Sequence, residues 1–313
     1  MHYGVIDLGS NTIRLTVYEQ NEEKVCRVFH RKSVAGLAGY INHGVLEAEG
    51  MAKICDVLND FKETALGFLE LPNLHLFATA SLRNILNRDD AVRCIAEATT
   101  LTPDVIGGDE EASLSFLGAS RFTDCDNGIM VDIGGASTEL VLFSDYEAGE
   151  FISLPVGCLN LSVSHVSKVV PKKREWKRIT AAVRAQFAQI PWRADGGCQL
   201  MVGVGGTLRA ALRLSAAVYH LDQESIDIEP AYIKGIIKLL KKNKKNIYRM
   251  VYKTAPDRLM TLPTGLIILQ EAIRAFGCKR ISVSNFGIRE GYLLDRVLMK
   301  NGEYSIDKTV GGI

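Results

Sequence analysis

Two aspartates, each at the end of an apolar run and each followed by a glycine-containing turn, are the residues of this chain best disposed for chemistry. In residues 130–143, MVDIGGASTELVLF, Asp132 stands at the mouth of a turn through Gly134 and Gly135. Paired glycines let a backbone approach a ligand closely and aim its N–H groups outward, as anion-binding turns do. Residues 5–17, VIDLGSNTIRLTV, say nearly the same thing. A shift of 125 residues pairs Asp7 with Asp132, Gly9 with Gly134 and Leu15 with Leu140, and sets Arg14 opposite Glu139. The chemistry this suggests is phosphate binding, and the duplication implies two related halves.

Three further stretches bear on that chemistry. Thr79-Ala80-Ser81-Leu82-Arg83-Asn84 follows a short apolar run and carries hydroxyls and one guanidinium, which suit an oxyanion, although by itself Ser/Thr there is more often an ordinary helix N-cap. Asp109, Glu110 and Glu111 follow Gly107-Gly108 and open a helix. Acids in a first turn complement the helix dipole. If this helix start points at the glycine turns, one carboxylate is placed to orient or deprotonate a water, as general-base hydrolysis requires. Gly203-Val204-Gly205-Gly206-Thr207 reads as a strand entering a helix, whose first N–H groups would add to an anion site. Structural tight turns look the same.

The elements that must position these residues follow from apolar periodicity. A hairpin over 3–18 leads to a strand at 25–29, a loop at 35–44 and a packing helix over 45–69, with Pro72 just beyond. Strands at 74–78 and near 104–106 precede the acidic helix, which runs through Leu117. The polar segment 121–127 reads as a domain boundary, after which the pattern repeats: a hairpin, a strand at 150–154, and a helix after Pro155-Val156-Gly157. Then come the basic run KKREWKR (172–178), a helix at 179–190, a strand at 199–202 and a helix opening at Leu208. Helices at 230–245, ending in KKNKK, and at 262–276 precede a strand at 280–284 and a last helix containing Gly287-Ile288-Arg289-Glu290-Gly291. The expected domains are 1–124 and 125–300, the last helix packing back on the first, with a polar tail at 301–313.

The totals bound the class. At 313 residues two domains are the default, and a composition of 47% hydrophobic and 23% charged residues is that of a soluble globular protein. No run approaches the ~18 apolar residues of a membrane span. The apolar start MHYGVIDLG breaks at Asp7, so no signal peptide is read and the cytoplasm is expected. Seven scattered cysteines without a C-x-x-C pair indicate neither disulfides nor zinc, and the histidines lack ligand spacing. Residues 1–150 hold 11 Lys+Arg against 24 Asp+Glu, a charge of −13; the remainder holds 26 against 12, or +14. Such a basic half is either a solvated surface complementing the acidic half or one that draws an anionic ligand.

Taken together, 7–15 (DLGSNTIRL), 78–83 (ATASLR), 108–112 (GDEEA), 132–139 (DIGGASTE), 154–157 (LPVG) and 203–207 (GVGGT) resemble the exopolyphosphatase/guanosine pentaphosphate phosphatase (Ppx/GppA) family in its short, two-domain form. The resemblance implies an α/β fold of the actin-like ATPase kind shared by sugar kinases, actin and heat-shock chaperone ATPases: two related ribonuclease-H-like domains with an interdomain cleft. It implies that Glu111 activates the attacking water and that Asp7 and Asp132 hold Mg²⁺ or orient the water. The turns Gly9, Ser10, Asn11 and Gly134, Gly135, Ala136, Ser137, Thr138 would bind phosphoryl oxygens together with Gly205 and Gly206. Arg14 and Arg83 would be cationic clamps and Glu139 would complete the site. Ala136 departs from the family, which usually has a third glycine there; either that position needs φ > 0 and alanine strains it, or alanine only narrows the space beside the phosphate. The implied substrate is polyphosphate or guanosine pentaphosphate, with no nucleic-acid duplex, no membrane and a homodimer as a possible assembly. An ATP-dependent small-molecule kinase of the same fold and a catalytically weak polyphosphate or guanosine polyphosphate sensor are the competing readings.

Overall fold

Strand β1 (His2–Leu8) is apolar on both faces, with Val5, Ile6 and Leu8 fully buried, and it therefore sits mid-sheet. The computed structural model describes residues 1–21, 24–120, 126–192, 197–242, 245–298 and 305–306. These form two units, one from Met1–Leu114 with the segment that begins at Ile288, the other from Ser115–Gly287. Residues 121–125 of the expected boundary, Asn243 and Lys244 of the KKNKK run, and the tail apart from 305–306 lie outside the described residues.

In the first unit β1 pairs antiparallel with β2 (Thr12–Asn21), which pairs antiparallel with β3 (Lys24–Val34). A small hairpin of β4 (Ile41–Asn42) and β5 (Val45–Leu46) precedes helix α1 (Ala48–Leu66). The helix expected from Val45 thus begins three residues later, because Gly44 turns at φ +82° and commits Val45 and Leu46 to the hairpin. Ile54, Leu58 and Phe61 of α1 pack on Ile6, Leu8, Ile13 and Leu15. On the other side of β1 lie β6 (Leu74–Ala78) and then, past helices α2 (Ala80–Arg83) and α3 (Arg88–Thr99), β7 (Asp104–Val105), both parallel to it. Helix α4 (Gly108–Ser120) carries the acidic triplet in its first turn.

The second unit repeats the plan. β8 (Gly128–Ile133), β9 (Thr138–Ser144) and β10 (Glu147–Leu154) form an antiparallel meander. Helices α5 (Cys158–His165) and α6 (Lys173–Phe187) lead to β11 (Leu200–Val204), parallel to β8, and α7 (Gly205–Tyr219) follows at once. β12 (Asp227–Ile228), α8 (Pro230–Lys241), α9 (Lys245–Thr254), α10 (Leu262–Phe276) and β13 (Arg280–Val283) complete it, β13 running parallel to β11 and β12 antiparallel to β13. Three sequence boundaries move. The basic run 172–178 belongs to α6, because the Glu175 carboxylate accepts the Lys172 N–H at 2.7 Å and starts the helix there. α7 starts at Gly205 rather than Leu208, and the helix expected over 230–245 ends at Lys241, a separate helix, α9, starting at Lys245.

The chain then returns to the first unit through α11 (Ile288–Tyr292), where Tyr18 donates to Glu290 at 2.6 Å and Arg289 donates to Thr16 at 2.6 Å. A short strand, β14 (Ser305–Ile306), pairs parallel with β3. The sheet orders are β14-β3-β2-β1-β6-β7 and β10-β9-β8-β11-β13-β12. Both share a core of three antiparallel strands followed by two parallel ones, the actin-like ATPase architecture expected from the duplicated hairpin.

Candidate active site

The two hairpins superpose in register: Asp7 lies opposite Arg14, and Asp132 opposite Glu139. Directly opposed cross-strand residues share a face. Asp7, only 6% exposed, accordingly accepts Arg14 Nη1 at 3.1 Å. In the second hairpin the same geometry places a second acid, not a base, beside the aspartate. Ser115 donates to Asp132 at 3.1 Å, and Ser153 to the buried Glu139 at 2.8 Å. A Cβ on Gly9 would stand 3.0 Å from the Thr12 carbonyl, and one on Gly134 would stand 3.1 Å from the Ser137 carbonyl. Neither glycine has positive φ, so both serve the close approach across the turn.

Which way the turns face follows from their carbonyls. Ser10 O accepts from Leu37 N at 2.9 Å, and Asn11 O from Ala35 N and Gly36 N at 3.0 Å each. Gly134 O accepts from Cys158 N at 3.0 Å, and Gly135 O from Leu159 N at 2.9 Å and Asn160 N at 3.1 Å. Across a trans peptide the N–H points opposite to the C=O. The amides of Asn11, Gly135 and Ala136 are therefore turned away from these supporting segments, the orientation an anion cradle needs. Gly157 makes the contact to α5 possible, since a Cβ there would drive into the Gly135 carbonyl and the Ala136 nitrogen. Ala136 lies outside the positive-φ region, so alanine fits without backbone strain and only fills space, being 8% exposed. Ser10 and Ser137 are buried in their turns, and the Thr138 hydroxyl donates to Val156 O at 2.6 Å.

Glu111 and Arg83 meet. Arg83 Nη1 donates to Glu111 Oε2 at 2.6 Å and to Ile106 O at 3.0 Å, with side chains 19% and 12% exposed respectively. The guanidinium expected to clamp phosphate thus also positions the expected base. The three acids of α4 diverge: Glu110 pairs with Arg296, Asp109 faces solvent, and Glu111 turns to Arg83. Ser115 stands one helical turn beyond Glu111. Thr79 makes no side-chain cap bond to α2, and the Ser81 hydroxyl goes to the Leu8 carbonyl, fixing the end of β1.

At the third glycine turn Gly205 has φ +87°, and a Cβ there would lie 2.5 Å from Asp132 Oδ1. The N-terminus of α7 thus abuts that carboxylate. Sequence reasoning missed Arg258: it is 7% exposed, and its guanidinium fills the space against Gly206 that a side chain would occupy. It sits in no motif, and only the missing Cβ of Gly206 hints at it.

A model of the Ppx/GppA phosphatase family matches residues 16–300. The chain belongs to the Ppx/GppA phosphatase family. Among solved structures, the Aquifex aeolicus Ppx/GppA family member is 25% identical with a TM-score of 0.77, the match covering 96% of this chain and 99% of that one. An exopolyphosphatase from Cytophaga hutchinsonii is 20% identical with a TM-score of 0.83, covering 97% and 100%. The latter likeness speaks for the fold. As a Ppx/GppA phosphatase the protein is a phosphohydrolase by family.

The donor set can be tested against Mg²⁺. Among the described residues no three His, Cys, Asp or Glu side chains gather into a ready-made metal cage. Mg²⁺ does not require one, since it usually takes one or two carboxylates together with waters and substrate phosphates. The opposed pair Asp132 and Glu139 suits it, two like charges on one face being a pair that a divalent cation complements. Also among the described residues, no helix is long and apolar enough to cross a membrane.

Proposed function

We propose that this Ppx/GppA phosphatase releases the terminal phosphate of inorganic polyphosphate, of guanosine pentaphosphate, or of both. The observation that carries the reading is the second glycine turn, whose Gly135 and Ala136 amides face away from α5 next to the Asp132–Glu139 carboxylate pair. Amides for phosphoryl oxygens beside carboxylates for a divalent cation are the parts phosphoryl transfer needs, since it demands positioning and charge neutralisation more than covalent help.

Asp132, with Glu139 beside it, would hold Mg²⁺, which neutralises phosphoryl charge when bound. In each unit the turn amides would bind phosphoryl oxygens, with Arg14 in the first and with the α7 amides and Arg258 in the second. Glu111, kept in place by Arg83, takes a proton from a water whose oxygen attacks the terminal phosphorus. The bridging P–O bond breaks, its electron pair leaves with the shortened chain, and orthophosphate departs.

Glu111→Gln tests the assignment because it keeps shape and removes the base. Phosphate release should fall by about a hundredfold or more while ligand affinity is retained. Turnover that survives the change would overturn the role given to Glu111. ADP formation that depends on an added acceptor would instead favour a kinase, and binding without turnover in the unaltered protein a sensor.

A further inference from the structure

We propose that the exposed face formed by the start of α6 and the end of α8 is an exosite for the distal part of a long polyphosphate chain, a proposal that rests on the phosphohydrolase reading above. The two basic runs lie far apart in sequence, and the fold joins them: Lys241 Nζ, at the end of α8, stands 5.4 Å from the ring centroid of Trp176 in α6. Around that contact Lys173, Arg174, Lys177, Arg178, Lys241 and Lys242 are all exposed. None of the six forms an ion pair with a described residue. The acid within the run, Glu175, is 4% exposed and turned inward, accepting the backbone N–H groups of Lys172 at 2.7 Å and Ser167 at 3.2 Å. It therefore does not offset the charge of the face.

The direction of the helices puts this face at the same end of the second unit as its glycine turns. α10 starts where the Thr264 hydroxyl donates to Cys158 O at 2.6 Å and Gly265 lies against Thr207, next to both turns. Midway, Glu271 binds Arg184 of α6 at 2.9 Å. At its far end Phe276 O accepts Cys198 N at 2.8 Å, just before β11 begins. α6, which meets α10 at Arg184 and leads to the start of β11, runs the same way, so its first turn lies at the turn end. α8 arrives there independently: β12 runs opposite to β13, and the helix after it returns. The face is separated from the Gly134–Gly135 carbonyls by α5, whose N-terminus caps them and whose eight residues span roughly 12 Å.

The chemistry favours polyphosphate over nucleic acid. Four of the six cations are lysines, point charges without the planar fork that reads a defined group. The aromatic ring at the centre, Trp176, is 3% exposed and offers no stacking platform for bases. A uniform, flexible polyanion needs only charge spaced along a path.

The test is the fourfold variant Lys173→Gln/Lys177→Gln/Lys241→Gln/Lys242→Gln, all surface positions, with folding checked by thermal melting. Direct binding of polyphosphate of several hundred units should weaken at least tenfold, and the slope of log affinity against log salt should flatten by about 3. Binding and hydrolysis of tripolyphosphate should stay within twofold. Unchanged long-chain binding, equal losses on long and short chains, or RNA binding through the same four lysines as tight as that of polyphosphate would each overturn the exosite. Absence of phosphate release from any substrate by the unaltered protein would instead refute the hydrolase reading, and the binding arm would still be read.

Discussion

Replacing Gly205 by alanine reads how closely the Asp132 carboxylate must be placed. Two costs can be separated. Gly205 has φ +87°, a conformation that costs an L-residue about 1–2 kcal/mol. Its added Cβ would also start 2.5 Å from Asp132 Oδ1. Ordinary carbon contacts begin near 3.5 Å, so the carboxylate or the first turn of α7 must give way by roughly 0.5–1 Å. Gly277 supplies the control: its φ is +63°, and the nearest atom to an added Cβ is Gly197 Cα at 3.7 Å, an ordinary contact. Gly277→Ala therefore carries the backbone strain without the displacement. Both variants should melt a few degrees lower, at about 2–4 °C per kcal/mol for a unit of this size. Displacement of a positioning group by about 1 Å costs on the order of a hundredfold in rate. Phosphate-release assays on polyphosphate and guanosine pentaphosphate, with Mg²⁺ varied, should show Gly277→Ala within twofold of the parent and Gly205→Ala down about a hundredfold. Equal melting losses with equal activities would refute the reasoning, because Asp132 would then tolerate the shift.

Ser115→Ala removes the hydroxyl that holds Asp132 at 3.1 Å; orienting partners of metal ligands are worth about 10–100-fold in affinity, so the Mg²⁺ needed for half-maximal activity should rise by that factor, and an unchanged Mg²⁺ titration would exclude the role. Arg258→Ala should raise KM about 10–100-fold, the value of charge-assisted bonds of 1.5–3 kcal/mol, with a smaller effect on kcat; a KM that does not move would make Arg258 a packing residue. His75, half-buried in β6, has its pKa lowered by burial. Its neutral form is favoured in the fold, so the unfolded chain binds the proton first. Stability from this site is complete above about pH 6.5 and is lost as pH falls from there towards the folded-state pKa. His75→Gln should flatten the decline of Tm between pH 7 and 5, and an identical slope would refute the assignment.

Much of this fold is written in local pattern. The strand 74–78 and the helix 262–276 coincide with their periodic segments, since buried apolar runs bounded by Pro or Gly leave little choice. What could not be read is set by partners distant in sequence. β12 and β14 are two-residue strands with no period of their own, and exist because β13 and β3 offer edges. Residues 172–178 look too charged for a packed helix, yet Trp176, Ile179, Val183 and Phe187 bury one face while the cations take the other. In the candidate site, the aspartates and glycines were legible because duplication repeats them. Arg258 was not, because its position depends on the fold bringing Pro256–Arg258 against the start of α7.

The duplication also sets opposite charges at one position of the same backbone device. At the same register position the first hairpin has Arg14 and the second Glu139. The shared geometry fixes the neighbour's distance from the aspartate, and its charge then decides the role. Asp7 is paired with Arg14 at 3.1 Å, so on the reading proposed above that hairpin offers a divalent cation less excess negative charge. Beside Glu139, Asp132 shares a face with a second carboxylate, the pair proposed above for the divalent cation. Exchanging the charges tests this directly. Glu139→Arg should leave the second hairpin's register intact, since both faces of its strands are held by buried apolar residues, Val131, Ile133 and Leu140 on one and Met130 and Val141 on the other. It should nevertheless abolish Mg²⁺-dependent turnover, by pairing Asp132 as Arg14 pairs Asp7. If the variant folds, as judged by an unchanged circular dichroism spectrum, and still responds to Mg²⁺ like the parent, then the asymmetry of the two hairpins does not decide where the metal sits.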